Sequence, residues 1–163
     1  LTIQNVGFTQ LNLSFLRSVG GMIKISGNGS LTHIDLSSLE QASALWVYDN
    51  PRLVQIKLSS LDEVVHRNGI MISDHPNLEE LDLSSLTSAY VVNLRTNDVL
   101  RDANLPSLLE VHDLYIATNE SLHIINVPSL LSPPVNVIFL ENAACNDIEE
   151  QIPCICRDDE VIE

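Results

Sequence analysis

Carboxylates are the first residues in this chain with the type and spacing for chemistry. Asp35 and Asp82 recur in one position of a 22–25-residue spacing that also holds Lys57, Asn104 and Asn126, with Glu79, Glu80 and Asp102 nearby. Glycoside cleavage needs two carboxyl groups facing one bond, about 5–10 Å apart. Two strand spacings separate Asp35 from Asp82 by about 9–10 Å. Lys57 falls between them, however, and the series reads as a charge-alternating solvent face. The five histidines (His33, His66, His75, His112 and His123) share no such position, and none is paired with a nucleophile. No glycine-rich phosphate loop occurs. The expectation is a protein that is not an enzyme and needs no cofactor.

Cysteines and sequons form the next groups. Cys145, Cys154 and Cys156 all lie in the last 19 residues. Three cysteines with a C-x-C step and no adjacent histidine make a poor zinc site, so no metal is expected. A disulfide from Cys145 to Cys154 or Cys156 closes a short loop, worth about 2–3 kcal/mol. One cysteine is then left over for a neighbouring domain or another chain. N-x-S/T sequons begin at Asn12, Asn28 and Asn119, weak signals singly.

The elements that must position these residues come from a repeat. The phrase Φ-x-Φ-x-x-N-x-x-L-x-x-Φ-x-Φ-x-S-L recurs down the chain. Its leucine column is Leu31, Leu53, Leu78, Leu100 and Leu122, with steps of 22, 25, 22 and 22; Phe8 opens it and Cys145 closes it. Leu11, Ile34, Ile56, Leu81, Ala103, Ile125 and Ile148 form a second column, Leu13 to Val127 a third and Leu16 to Leu130 a fourth. Φ-x-Φ is the period of a strand with one buried face. Two such strands per repeat, separated by a polar bend, give coils too small to bury their own leucines. Stacked, they share one aliphatic core through parallel ladders. The step of 25 predicts about three extra residues, near 63–68. Asn5, Asn28, Asn50, Asn97, Asn119 and Asn142, with His75 in one coil, read as an inward ladder that satisfies the bend. Ser38, Ser60, Ser85, Ser107 and Ser129 mark a second turn, not a row of nucleophiles.

Composition agrees with a packed aliphatic core. Of 163 residues 45% are hydrophobic but only 4% aromatic, and mean hydropathy is +0.14. The net charge of −14, from 22 acidic and 8 basic residues, argues against nucleic acid and against an anionic membrane surface. No apolar run reaches the length of a membrane span. Leu1 enters a strand pattern with no basic, apolar leader before it, which reads as a processed or excised chain.

The stretch 11–25, LNLSFLRSVGGMIKI, resembles the L domains of insulin- and EGF-receptor-type proteins, as do the Asn-x-x-Leu bend and the last coil, where Cys145 takes the leucine place. The Gly-Asn-x-Ser-Leu-Thr and Leu-Ser-Ser-Leu phrases are also similar to fungal GPI-anchored cell-wall proteins with the same repeat. Both resemblances imply a right-handed β-helix outside a cell, with no catalytic residues to carry over. The first coil departs from the receptor pattern by lacking a cysteine.

The expected architecture is all-β: a right-handed parallel β-helix of about six to seven leucine-rich-like coils, receptor L-domain-like. It spans 1–156 with a cysteine cap from about 142, followed by an acidic tail or linker, 157–163. Outward positions of the first strand form two columns, Lys24, Trp46, Met71, Asn93, Tyr115 and Ser26, Tyr48, Ser73, Arg95, Ala117. Trp46, Tyr48, Met71, Arg95, Tyr115 and Lys24 are the candidate ligand-binding residues, of the types enriched in binding hot spots. Covering the sheet or meeting a neighbouring domain explains the same rings equally well. The function expected is extracellular recognition of a protein or glycan, secreted or at the cell surface, without direct membrane insertion. The alternative is a structural or adhesive cell-surface or cell-wall protein without a discrete ligand.

Overall fold

The computed structural model describes residues 1–140 and Asn142. Cys145, Cys154, Cys156, the cap expected from them, Ile148 and the tail 157–163 lie outside the described residues. Within them the chain forms fourteen strands and no helix, so no helix long and apolar enough to cross a membrane. In chain order they are β1 (Thr2–Gln4), β2 (Gln10–Asn12), β3 (Ser18–Ser26), β4 (His33–Asp35), β5 (Gln41–Tyr48), β6 (Gln55–Lys57) and β7 (Glu63–Val64). The others are β8 (Ile70–Ser73), β9 (Glu80–Asp82), β10 (Ser88–Arg95), β11 (Asp102–Asn104), β12 (Glu110–Ala117), β13 (Ile124–Asn126) and β14 (Asn136–Leu140).

Eight strands, all the longer ones among them, stack into one sheet in the order β1-β3-β5-β7/β8-β10-β12-β14. Six three-residue strands stack on a second side as β2-β4-β6-β9 and, separately, β11-β13. Every pairing is parallel, as in Lys24↔Trp46, Trp46↔Met71 and Asn93↔Tyr115. The molecule is a β-solenoid of about six turns.

The repeat columns become the core. Leu31, Leu53, Leu78, Leu100 and Leu122 are 0–1% exposed, and Ile34, Ile56, Leu36 and Leu58 are as deeply buried. Each such side chain contributes about 1.5–3 kcal/mol through burial that a coil by itself cannot provide. Phe8 departs from this: it is 42% exposed, in the coil where the step to the next changes from 22 to 23 residues.

The asparagine column forms a chain of hydrogen bonds through the bend. Asn28 donates from its backbone N–H (3.1 Å) and its Nδ2 (2.9 Å) to Asn50 Oδ1. Asn50 Nδ2 donates to the carbonyls of Ile25 and Tyr48. Asn97 and Asn119 repeat the scheme towards Asn142. Asn5 does not belong to this ladder. It is exposed, and the N–H that reaches Asn28 Oδ1 is that of Val6. The step between first and second coils is 22 residues on the first sheet (Ile3↔Ile25) but 23 on the second (Leu11↔Ile34). The extra residue thus lies after the bend, which shifts Asn5 by one position.

The left-handed backbone falls on the residue before each ladder position. Asn5, Gly27, Asp49, Asp74, Thr96 and Thr118 have φ of 53°, 66°, 53°, 62°, 54° and 56°. Two are β-branched threonines, for which this conformation costs about 1–2 kcal/mol. The serine turns also connect coils: Ser85, Ser107 and Ser129 Oγ donate to the carbonyls of Ser59, Ser84 and Pro106.

Three extra residues fall close to where the spacing puts them, in a corner at 65–69. Ala42↔Val64 and Leu45↔Ile70 bracket two residues on β5 against five on the partner. Gly69 closes this corner at φ +49°, and a Cβ there would lie 2.7 Å from Val91 Cβ.

Candidate functional site

The carboxylate column of the second side is committed to turns. Asp35 Oδ1 accepts from the Ser37 N–H (3.0 Å) and Asp82 Oδ1 from the Ser84 N–H (3.1 Å). Asn12 does the same for Ser14, at the matching place in the first coil. These are Asx turns, in which a short polar side chain stands in for a backbone carbonyl. Hydrogen bonds from the Ser37 side chain and backbone, and then Lys57, outweigh burial and hold the Asp35 carboxyl below its ordinary range, the wrong direction for a general acid. A cleft of about 330 Å³ lies beside this column, lined by Lys57, Glu79, Glu80, Leu81, Asp82 and Asp102 among others. Among the described residues no three His, Cys, Asp or Glu side chains are grouped to hold a metal ion.

The outward face of the first sheet holds the expected binding residues in unbroken register. Strand pairing places Thr2, Lys24, Trp46, Met71, Asn93, Tyr115 and Ile138 in one row, and Gln4, Ser26, Tyr48, Ser73, Arg95 and Ala117 in the next. Pleating sends alternate residues outward. Trp46, Met71 and Tyr115 therefore stand along one row with partly exposed side chains, while Leu45, Val47, Ile70 and Ile72 point into the core. Ser26 and Ser73 differ from the reading of an open row. Both are buried, Ser26 Oγ accepting from Gln4 Nε2 (2.7 Å) and Ser73 Oγ donating to Asp74 Oδ2 (2.8 Å).

The rings are held at defined angles. Trp46 Nε1 donates to the Asn68 carbonyl (3.0 Å), which ties the indole to the 65–69 corner. Lys24 Nζ stands 5.2 Å from the Tyr48 ring centroid, a cation–π distance. Hydrogen bonding with Lys24, and after it with Ser26, draws the Tyr48 phenol below its ordinary range. Burial, and then the Asp113 carboxylate, pushes the Tyr115 phenol the other way. Arg95 is exposed at the edge of the face.

Beside this face lies an aromatic pair that sequence reasoning missed. Tyr90 and His112 stack with centroids 4.4 Å apart and planes 11° apart. His112 Nδ1 pairs with Asp113 Oδ1 (2.9 Å), which also accepts from Asn136 Nδ2 (2.6 Å). Tyr90 and His112 are 22 residues apart, one repeat step. A strict period of two hides them, because Tyr90-Val91 and His112-Asp113 are consecutive outward residues at the corner of the coil.

Of the three sequons, Asn28 and Asn119 are fully buried in the ladder with their side-chain amides bonded, and neither can carry a glycan in the folded chain. Asn12 is exposed, and its Oδ1 accepts from the Ser14 Oγ (2.8 Å). No protein-family model, curated protein or solved structure matches the chain.

Proposed function

We propose that this solenoid is a recognition module outside the cell that binds a protein or glycan through the outward face of its first sheet, without catalysis. The observation that carries this reading is the row Lys24, Trp46, Met71, Asn93, Tyr115 in parallel register, with Tyr48 and Arg95 alongside. Tryptophan, tyrosine and arginine concentrate binding energy because they bring large area at low entropic cost. Here a rigid sheet pre-orients them, and tethers such as Trp46 to Asn68 reduce what a ligand must freeze.

A second reading is a structural or adhesive cell-surface protein without a discrete ligand, supported by two apolar side chains on outward turns, Phe15 (78% exposed) and Leu131 (72% exposed). A glycan array and a panel of purified extracellular domains, probed with wild type, Trp46→Ala and Tyr48→Ala, separate the two. The recognition reading expects a saturable ligand whose affinity falls at least about tenfold in each variant, the loss of a hot-spot residue. Binding that is absent, or unchanged in both folded variants, overturns it.

A further inference from the structure

One corner of the coil changes character along the stack. It is where each turn of the chain enters the first sheet, and it carries two exposed columns. In the first, Arg17, Glu40, Asp62, Thr87, Leu109 and Leu131 follow one another, each N–H donating to the carbonyl of the residue one coil before. Its first three members are charged, and Arg17 pairs with Glu40 at 2.8 Å. Its last two are apolar, Leu109 40% and Leu131 72% exposed. The second column, three residues further on, runs from Gly20 and Ser43 to Val65, Tyr90, His112 and Val135. It follows from the pairs Ala42↔Val64, Val64↔Ala89 and Ala89↔Val111, and from the Val135 N–H on the His112 carbonyl. It changes in the same direction: Val65 is 69%, Tyr90 41% and Val135 70% exposed.

We propose that the apolar half of this corner docks a short segment of a protein partner, one with apolar side chains set between lysines or arginines. Contiguous exposed apolar side chains mark contact surfaces, and tyrosine is a type that concentrates binding energy. The Tyr90 ring is held in place by its stack on His112, which is itself tied to Asp113. The surface is separate from the Trp46 and Tyr48 rows, and its occupancy does not depend on a ligand there.

Charge and size select the occupant. Between the two columns Glu63, Ser88 and Glu110 face outward in register. Neither carboxylate has a hydrogen-bond or ion-pair partner among the described residues, whose ion pairs are Arg17–Glu40 and His112–Asp113. A cation gains from both, and an acidic group is repelled. A second copy in a two-fold contact would set this patch, with Glu110 in it, against itself, on chains that each carry a charge of −14. The chain's own residues 143–163 are acidic as well, with Asp147, Glu149, Glu150 and Asp158 among them. Leu109 to His112 is three residues, about 10 Å, and Val65 to Val135 is three coils, about 14 Å. That outline is far below the roughly 800 Å² per partner of a stable protein interface. It has room for one segment, not for a folded domain.

Short fluorescent peptides test this by anisotropy on the whole chain. One set has a Leu-x-x-Leu core flanked by lysines; the controls have glutamate flanks, or serine for each leucine. The lysine-flanked leucine peptides should bind at least about tenfold more tightly than either control. Leu109→Ser combined with Leu131→Ser should weaken that binding at least about tenfold, and Glu110→Lys should abolish the preference for lysine flanks. Trp46→Ala should leave it unchanged, which separates this surface from the first-sheet face. No peptide binding, equal binding of glutamate-flanked peptides, or a loss in Trp46→Ala overturns the proposal. Self-association of the chain that Leu131→Ser abolishes also overturns it, because the occupant is then a second copy. Should the double leucine variant not fold, Glu110→Lys decides by itself: an unchanged preference for lysine flanks refutes the docking surface.

Discussion

Truncating Asn50 to alanine tests how much of the fold's stability the ladder carries. The substitution strips Asn28 of its acceptor for both the backbone N–H (3.1 Å) and Nδ2 (2.9 Å), and it removes the donor to the Ile25 (3.2 Å) and Tyr48 (3.0 Å) carbonyls. Asn28 Nδ2 retains the Ile3 carbonyl at 3.3 Å, so the groups left in deficit are one buried N–H and the carbonyls. A buried polar group deprived of its partner costs about 1–3 kcal/mol. With the small cavity added, Asn50→Ala should lower stability by about 3–5 kcal/mol. That is a large part of the roughly 5–15 kcal/mol typical of a domain. Urea unfolding at pH 7 reads the change as a shift in midpoint at constant slope. Asn5→Gly is the control: the position is exposed with φ 53°, where glycine is at ease, and stability should move by less than about 0.5 kcal/mol. A loss under about 1 kcal/mol for Asn50→Ala, or one equal to the control, refutes the reasoning.

Other outcomes can be checked on the same material. The folded chain resists protonating His75, so stability should be complete above pH 6.5 and fall by about 3 kcal/mol as pH drops towards 4, as the unfolded chain takes up the proton first; urea midpoints across that range should be flat in His75→Asn. Asp35 acts in a separate window: its lowered value gives stability that is present above 3.8 and is lost only below it. Gly69→Ala should cost at least about 2 kcal/mol, from the positive φ and the collision with Val91, measured by thermal or urea unfolding. Expression in a secretory eukaryotic host should give a single N-glycan, lost in Asn12→Gln by intact mass; glycan at Asn28 or Asn119 in folded protein contradicts their burial.

The fold was legible because a stacked solenoid writes its tertiary contacts as sequence spacing. Leu31, Leu53 and Leu78 pack into one core because they are one coil apart, so the column that stabilises them is visible in the chain. The first-sheet rows through Trp46 and Tyr48 followed from the same register, and so did the serine turns. What the spacing could not decide were positions where one coil differs from its neighbour. Asn5 and Val6 exchange roles through a one-residue offset after the bend, and which residue takes the left-handed backbone depends on where that offset falls. The Tyr90–His112 pair needs the corner geometry, in which two consecutive residues face outward. His75 reads as one more ladder member, yet its own backbone N–H goes to the Thr96 carbonyl, and Asn97 Oδ1 has no partner. Sequence by itself determined the stack and its buried columns, because every coil repeats one local pattern. Only the tertiary structure decided where one coil departs from the next, because the pairing across a boundary belongs to two coils at once.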